Sequence, residues 1–369
     1  MRTGFVLLFL IICSLHELSA DTIPYTSLGL RAHYGFIIPH SKAIEEVSHT
    51  NPFGFEISLN KLHTSYNRWQ IFNSYLLTGW QAGYFNYQYP EVLGSLFDIT
   101  VYAEPVLKHG RNYFFTIRGG TGISYHTNYY DKEKNPLNQF FSTSLNFPLF
   151  VELRYKYRVA GTTYLTLSGC YNHISNGGFK QPNKGMNFPT LALGLEHFRN
   201  GLPLLDHNYR RGGLEGRIIS LSAQALSALK ILAETDEYRE EPAFVYGLNA
   251  RVSRQAKTWY SLNAGAEIII DGYLREIIRR EGTGIDHKRV AITAGQDFHL
   301  GRVIFTQYLG FYVYSPFRAL KPVYQKYELA YRFTPRLSAG VYLKAHLQVA
   351  ELMGMNLNYT ILRKQKPAV

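Results

Sequence analysis

A histidine and a serine stand two residues apart in the run Tyr171-Asn172-His173-Ile174-Ser175-Asn176-Gly177-Gly178-Phe179-Lys180-Gln181-Pro182-Asn183-Lys184-Gly185-Met186-Asn187. On an extended strand, residues i and i+2 share a face with Cα atoms roughly 6.5–7 Å apart, so an imidazole can reach back to a hydroxyl. His173 can then take the proton of Ser175 and make it a nucleophile. The glycines and asparagines that follow can turn backbone N–H groups toward a developing oxyanion, and Asn176 or Asn183 can offer an amide donor. These are the parts of an acyl-transfer site. A bare His-x-Ser occurs often by chance and reads as a solvated strand end. Here the longer Asn/Gly/Pro-Asn-x-Gly context favours chemistry.

No other segment competes. The sequence has no phosphate-cradling loop and no His-Glu-x-x-His segment, and its 13 histidines never fall at a short ligand spacing, so no metal or nucleotide site is expected. The glycines Gly119, Gly120 and Gly122 read as thin points in a curved strand.

The dyad must be positioned by a strand, and parity says which way it points. Leu165, Leu167, Gly169 and Tyr171 form the odd row that His173 and Ser175 continue, against Thr166, Ser168, Cys170 and Asn172. On the next strand Asn187 shares its row with Leu191, Leu193 and Leu195, so it faces the same way and can accept the other imidazole N–H. Glu196 lies on the opposite row, badly placed to orient the imidazole. Long alternating runs recur along the chain. Leu337, Ala339, Val341, Leu343, Ala345 and Leu347 alternate with Ser338, Gly340, Tyr342, Lys344 and His346, and a second run follows from Met353 to Ile361. Val151, Leu153, Tyr155 and Tyr157 alternate with Glu152, Arg154, Lys156 and Arg158. A membrane barrel would turn that charged row into a hydrated or salt-bridged interior.

Further strands are predicted around 25–39, 53–64, 69–88, 94–108, 113–128, 140–150, 162–176, 186–198, 243–255, 258–271, 288–300, 303–315 and 324–334. The segment Arg217 to Glu234 fits both helix and strand, with strand preferred, and Asp236 to Glu241 reads as a charged loop. At roughly 25 residues per strand and connection, the mature chain gives about 14 antiparallel strands, within a range of about 12–16. The expected fold is all-β, a single transmembrane barrel over 21–369.

The N-terminus supports export. From Arg2 the chain enters an apolar stretch, Phe5 to Leu15, then Leu18-Ser19-Ala20 before Asp21, which reads as a signal peptide over 1–20. No later apolar run is long enough for a spanning helix. Cys13 leaves with the leader, so Cys170 stands alone and no disulfide framework is expected. With 46% hydrophobic and 18% charged residues the chain is too apolar for disorder. Its 29 Tyr, 23 Phe and 3 Trp are spread along the length, as at membrane interfaces. The net charge of +12 points to an anionic partner: nucleic acid, phosphorylated lipid or an acidic surface.

Over Tyr171 to Asn187 the sequence resembles the outer-membrane lipid A 3-O-deacylases of the acyloxyacyl hydrolase group, with their His-x-Ser-Asn, then Gly-x-Lys-x-Pro-Asn-x-Gly and a carboxylate. The resemblance implies an eight-stranded barrel in which a serine hydrolase site on the outer wall removes the 3-position hydroxyacyl chain of lipopolysaccharide. It implies Ser175 as nucleophile and His173 as base. It also places Asn176, Gly178 and Asn183 among the oxyanion or substrate-positioning elements. Lipid A and outer-membrane lipids are the implied partners, engaged in part by Lys180 and Lys184; no nucleic acid and no metal or organic cofactor are implied.

Two departures stand out. Asn187 occupies the place of the family's acid, and an amide orients imidazole without stabilising imidazolium by charge. About 180 residues follow Asn187 where such barrels usually end, so the resemblance covers roughly 21–200. The later half can widen one barrel or build a second sheet, and the consecutive long hairpins over 288–362 favour one larger barrel. The rival reading is a non-enzymatic barrel, a porin or adhesin, with the polar rows lining a channel.

Overall fold

The computed structural model describes residues 24–366 apart from 73, 179, 202–204, 206–216, 233, 236, 318–320 and 348. The expected leader and Cys13 lie outside the described residues, as do Asp236 of the expected charged loop and Phe179 of the motif.

The first half forms β1 (Tyr25–Gly35), β2 (Phe53–His63), β3 (Leu76–Asn86), β4 (Ser95–His109), β5 (Tyr113–His126), β6 (Leu145–Ala160), β7 (Thr163–Ser175) and β8 (Met186–Phe198). Helix α1 (Lys42–Glu45) sits between β1 and β2, and α2 (Tyr66–Phe72) between β2 and β3. Each strand pairs antiparallel with the next, and β8 returns to β1 in a register that sets Leu30 opposite Leu195 and Gly35 opposite Thr190. The second half forms β9 (Arg217–Leu232), β10 (Glu241–Lys257), β11 (Tyr260–Asp271), helix α3 (Gly272–Glu281), β12 (Lys288–Leu300), β13 (Val303–Tyr314), β14 (Val323–Arg332), β15 (Leu337–His346) and β16 (Val349–Lys366). Here β16 returns to β9, with Leu357 opposite Ala225.

The chain thus builds two closed eight-stranded barrels, which corrects the expectation of a single barrel of about 14 strands. Strand periodicity is the same in both arrangements. What differs is the partner of β1, and that is fixed by polar side chains meeting across a narrow interior. Arg31 on β1 bonds Glu56 on β2 at 2.6 Å and reaches Glu152 on β6 at 2.6 Å. An eight-stranded lumen is narrow enough to be filled by side chains, whereas a much wider one would leave these groups in water. The Arg217 to Glu234 segment is strand to Leu232, as preferred. Smaller differences concern ends: residues 36–39 leave β1 as loop, residues 69–72 continue helix α2 instead of opening a strand, and the expected strands at 140–150 and 151–158 merge from Leu145 into one strand, β6, with 140–144 in the loop before it.

Burial follows the alternation. On β6 Glu152, Arg154 and Lys156 are buried while Val151, Leu153, Tyr155 and Tyr157 face out. Among the described residues, the first lumen holds four fully buried cations (Arg31, Arg118, Arg154, Lys156) and four fully buried carboxylates (Glu56, Glu104, Glu152, Glu196), with the half-buried Asp98 near Glu56. Glu104 takes Arg118 at 2.7 Å and Lys156 at 2.8 Å, and Lys156 also meets Glu196 at 2.8 Å. Balanced charges let each ion keep partners in place of water, without which its burial would be prohibitive. The second lumen repeats the device, with Arg289 on Asp271 at 2.5 Å and Glu351 at 2.8 Å, and Lys326 on Glu267.

The outer walls are apolar. Leu30, Phe55, Ile57, Ile99, Leu167, Leu193 and Leu195 are exposed on the first barrel, and Leu248, Leu262, Ile268, Leu309 and Leu357 on the second. Oily outside and polar inside is the pattern of a membrane-spanning barrel. Among the described residues no helix is long and apolar enough to cross a membrane.

The first barrel has unequal ends. One carries the connections 36–52, 87–94, 127–144 and 176–185; at the other, 110–112 and 161–162 are tight turns. Long loops belong to the extracellular side of such barrels and short turns to the periplasmic side. Under the long loops an apolar plug of Ile37, Ile44, Leu93, Phe140, Phe141 and Phe188 closes the interior.

Candidate active site

The His-x-Ser pair sits where β7 ends beneath the long loops. Leu165, Leu167 and Tyr171 are exposed on its outer row, and His173 and Ser175 continue that row as half-buried residues. Their inward neighbour Ile174 and, across the ladder, Met186 and Phe188 are fully buried in the apolar plug. A fully buried side chain of this size contributes about 1.5–3 kcal/mol, so the last rungs of β7 and β8 are held firmly although they end a strand pair. The outer face inherits that fixed backbone.

His173 lies opposite Asn187 in the β7–β8 register, and its Nδ1 is 2.7 Å from Asn187 Oδ1. An amide oxygen only accepts, so His173 carries its proton on Nδ1 and leaves Nε2 as a lone pair. That is the tautomer a general base needs. Ser175 lies two residues on, and its hydroxyl makes no hydrogen bond to a described residue. The structure therefore brings His173 and Asn187 together and places Ser175 on the same face without joining it to the imidazole. Bonds of this kind commonly close only when substrate is bound. Glu196 is buried in the lumen with Lys156 and Ser27, away from this face.

The loop after Ser175 is a clasp. Gly177 and Gly178 take φ of 71° and 81°, left-handed values that glycine reaches without strain. Asn176 is buried. Its amide nitrogen donates to Lys180 O at 2.8 Å and Ser142 Oγ at 3.3 Å, and its amide oxygen accepts the Gly178 N–H at 2.9 Å. The Asn176 backbone N–H donates to Asn183 Oδ1 at 3.1 Å. Asn176 and the Gly178 N–H are thus committed to shaping the loop. The Nδ2 of Asn183 and the Gly177 N–H have no partner among the described residues, so they are the donors left for a ligand. Lys184 and Gly185 bond Gln139 O and Phe140 O at 3.1 and 2.9 Å, tying the clasp to the 127–144 loop.

Two contributors escape sequence reasoning. At Gly185 (φ 70°) an added Cβ would stand 2.9 Å from His173 Cε1, so the absence of a side chain makes room for the ring. His40, on the chain leaving β1, lies with Nδ1 3.4 Å from Asn187 Nδ2. The β1–β8 ladder continues past Gly35, with Ile38 N donating to Asn187 O at 2.8 Å, which sets His40 beside the amide. No spacing rule links positions 147 apart. Among the described residues no group of three His, Cys, Asp or Glu is arranged to hold a metal ion.

Comparison with known families places both halves. The model described as "Lipid A 3-O-deacylase (PagL)" matches residues 54–196, within the first barrel, and "Acyloxyacyl hydrolase, C-terminal domain" matches 220–364, within the second. The chain belongs to the lipid A 3-O-deacylase and acyloxyacyl hydrolase family. As a member of that family it is a lipid A-deacylating hydrolase, exported to the outer membrane. No curated protein sequence matches it. Among solved structures, the crystal structure of the outer membrane enzyme PagL is 19% identical over 48% of this chain and 99% of its own, with a TM-score of 0.30. A triple mutant of Rhodopseudomonas blastica porin is 8% identical over 92% of this chain and 100% of its own, with a TM-score of 0.21. Neither score is high enough to carry residues across.

Proposed function

We propose that the deacylase removes the 3-O-linked hydroxyacyl chain of lipid A at the outer wall of the first barrel, with Ser175 as nucleophile. His173 Nε2 takes the Ser175 proton as Oγ attacks the ester carbonyl. Asn183 Nδ2 and the Gly177 N–H stabilise the oxyanion, Gly178 and Asn176 shape the loop that presents them, and Asn187 holds His173 in its reactive tautomer. Collapse gives acyl-Ser175 and returns the proton to the 3-hydroxyl leaving group; water then frees the acid by the reverse steps. Lys180 and Lys184, both exposed on the clasp, attract the phosphorylated headgroup.

The observation that carries this reading is the 2.7 Å His173–Asn187 bond on the outward row, with Ser175 next on that row. A polar pair facing lipid would cost free energy without a purpose. Outside the wall, a fatty chain reaches the serine without leaving the bilayer. Lipopolysaccharide incubated with the purified protein in detergent is expected to yield lipid A lighter by one hydroxyacyl chain in mass spectra, and Ser175→Ala to yield none. Equal spectra from the two proteins would overturn the assignment.

A further inference from the structure

An amide in the acid position raises a problem that a carboxylate does not have. Both ends of a carboxylate accept, whereas an asparagine can turn either its oxygen or its NH2 to the imidazole. Turned the wrong way, Asn187 would donate to His173 Nδ1, move the ring proton to Nε2 and leave no base for Ser175. What contacts the other half of the amide decides the orientation.

That contact is His40. Its Nε2 stands 3.0 Å from Lys184 O, and its Nδ1 is 3.4 Å from Asn187 Nδ2 and 3.3 Å from Ile38 O. A backbone carbonyl only accepts. The closer one, Lys184 O, takes the proton of Nε2, and in the neutral ring Nδ1 is then an acceptor that faces the Asn187 NH2; only a doubly protonated His40 would donate to Ile38 O as well. An acceptor beside Asn187 draws the NH2 toward itself and turns Oδ1 to His173. We infer that His40 is a positioning residue for the deacylation: it fixes the sense of the Asn187 amide and through it the tautomer of His173. The relay runs one way, from His173 Nδ1–H to Asn187, from Asn187 NH2 to His40, and from His40 Nε2–H to the Lys184 carbonyl. This inference rests on the proposed roles of His173 and Ser175.

The test separates orientation from simple packing, using the full-length protein in detergent micelles. His40→Leu is expected to lower the kcat of lipid A deacylation by about ten- to a hundredfold with KM unchanged, the size of effect seen when the partner that orients a metal-bound histidine is lost. His40→Asn, which keeps an acceptor near the Nδ1 position, restores most of it. In an Asn187→Glu background the orientation problem disappears, so adding His40→Leu leaves the rate at the Asn187→Glu value. An equal fall in both backgrounds, or no fall in either, overturns the proposal. Nitrogen-15 spectra of the imidazoles give a readout without turnover: His173 protonated on Nδ1 in the wild type, and mixed tautomers in His40→Leu. A wild-type His40 protonated on Nδ1 overturns the relay. Full activity of Ser175→Ala would refute the catalytic reading by itself, while the His173 tautomer would still decide the role of His40.

Discussion

At the scale of single residues the proposed reaction turns on the third member of the candidate site. In the proposed reaction Asn187 orients His173 but brings no charge to the imidazolium that would form as Ser175 attacks. In a serine-protease triad the same loss costs about 10⁴-fold, largely through the wrong tautomer. Here the 2.7 Å bond to Oδ1 preserves the tautomer, so only the charge is missing. Asn187→Glu is therefore expected to raise kcat. It should also move the acid limb of kcat/KM to higher pH, because the added carboxylate favours the protonated ring that must be neutral to act. A pH–rate profile checks both; a fall in kcat with an unmoved limb would speak against Asn187 as the orienting group. His173, Ser175 and Asn187 were legible because strand parity and spacing alone set them on one face. Asn176 reads as an oxyanion donor from sequence, but its amide is spent on Ser142 and Lys180, contacts that exist only once the loops fold. His40 was invisible for the same reason, being brought in by the β1–β8 closure.

At the scale of elements, each strand separates an oily row from a polar one, and the two rows bear stability differently. Lipid tails are as apolar as leucine, so an outer-row change such as Leu193→Ala has little water-to-oil transfer to lose. Glu104 holds Arg118, Arg154 and Lys156 at once. Glu104→Gln leaves those cations under-compensated and is expected to destabilise the barrel by about 3–5 kcal/mol. Urea unfolding in lipid vesicles measures the contrast, and equal losses for the two variants would contradict it. Period-two alternation made these rows legible, including the ambiguous β9. Helix α3 was not, because its cues are local and short: the Asp271 side chain accepts from Leu274 N at 3.0 Å and Gly282 ends the helix at φ 64°. Helix α2 was not legible either, because its seven residues, Tyr66–Phe72, are too few to show a helical period.

At the scale of the whole molecule, sixteen strands divide into two closed cylinders, each complete in its hydrogen bonding. Counting strands from spacing could not reveal this, since alternation reports which face is oily and is silent on where a sheet closes. The closing information is in pairs such as Arg31 with Glu152, far apart in sequence and recognisable only across a narrow lumen. Because the β1–β8 ladder closes by itself and carries the proposed site, a chain ending at residue 201 is expected to refold in detergent and to release hydroxyacyl chains. A folded but inactive fragment would assign part of the chemistry to the second barrel. Whether Ser175 is the nucleophile is read most directly by labelling the full-length protein with a lipid-tailed fluorophosphonate, followed by peptide mass spectrometry. One label is expected, on Ser175, lost in His173→Ala. A label on another serine, or an active enzyme with Ser175 unmodified, would contradict that assignment.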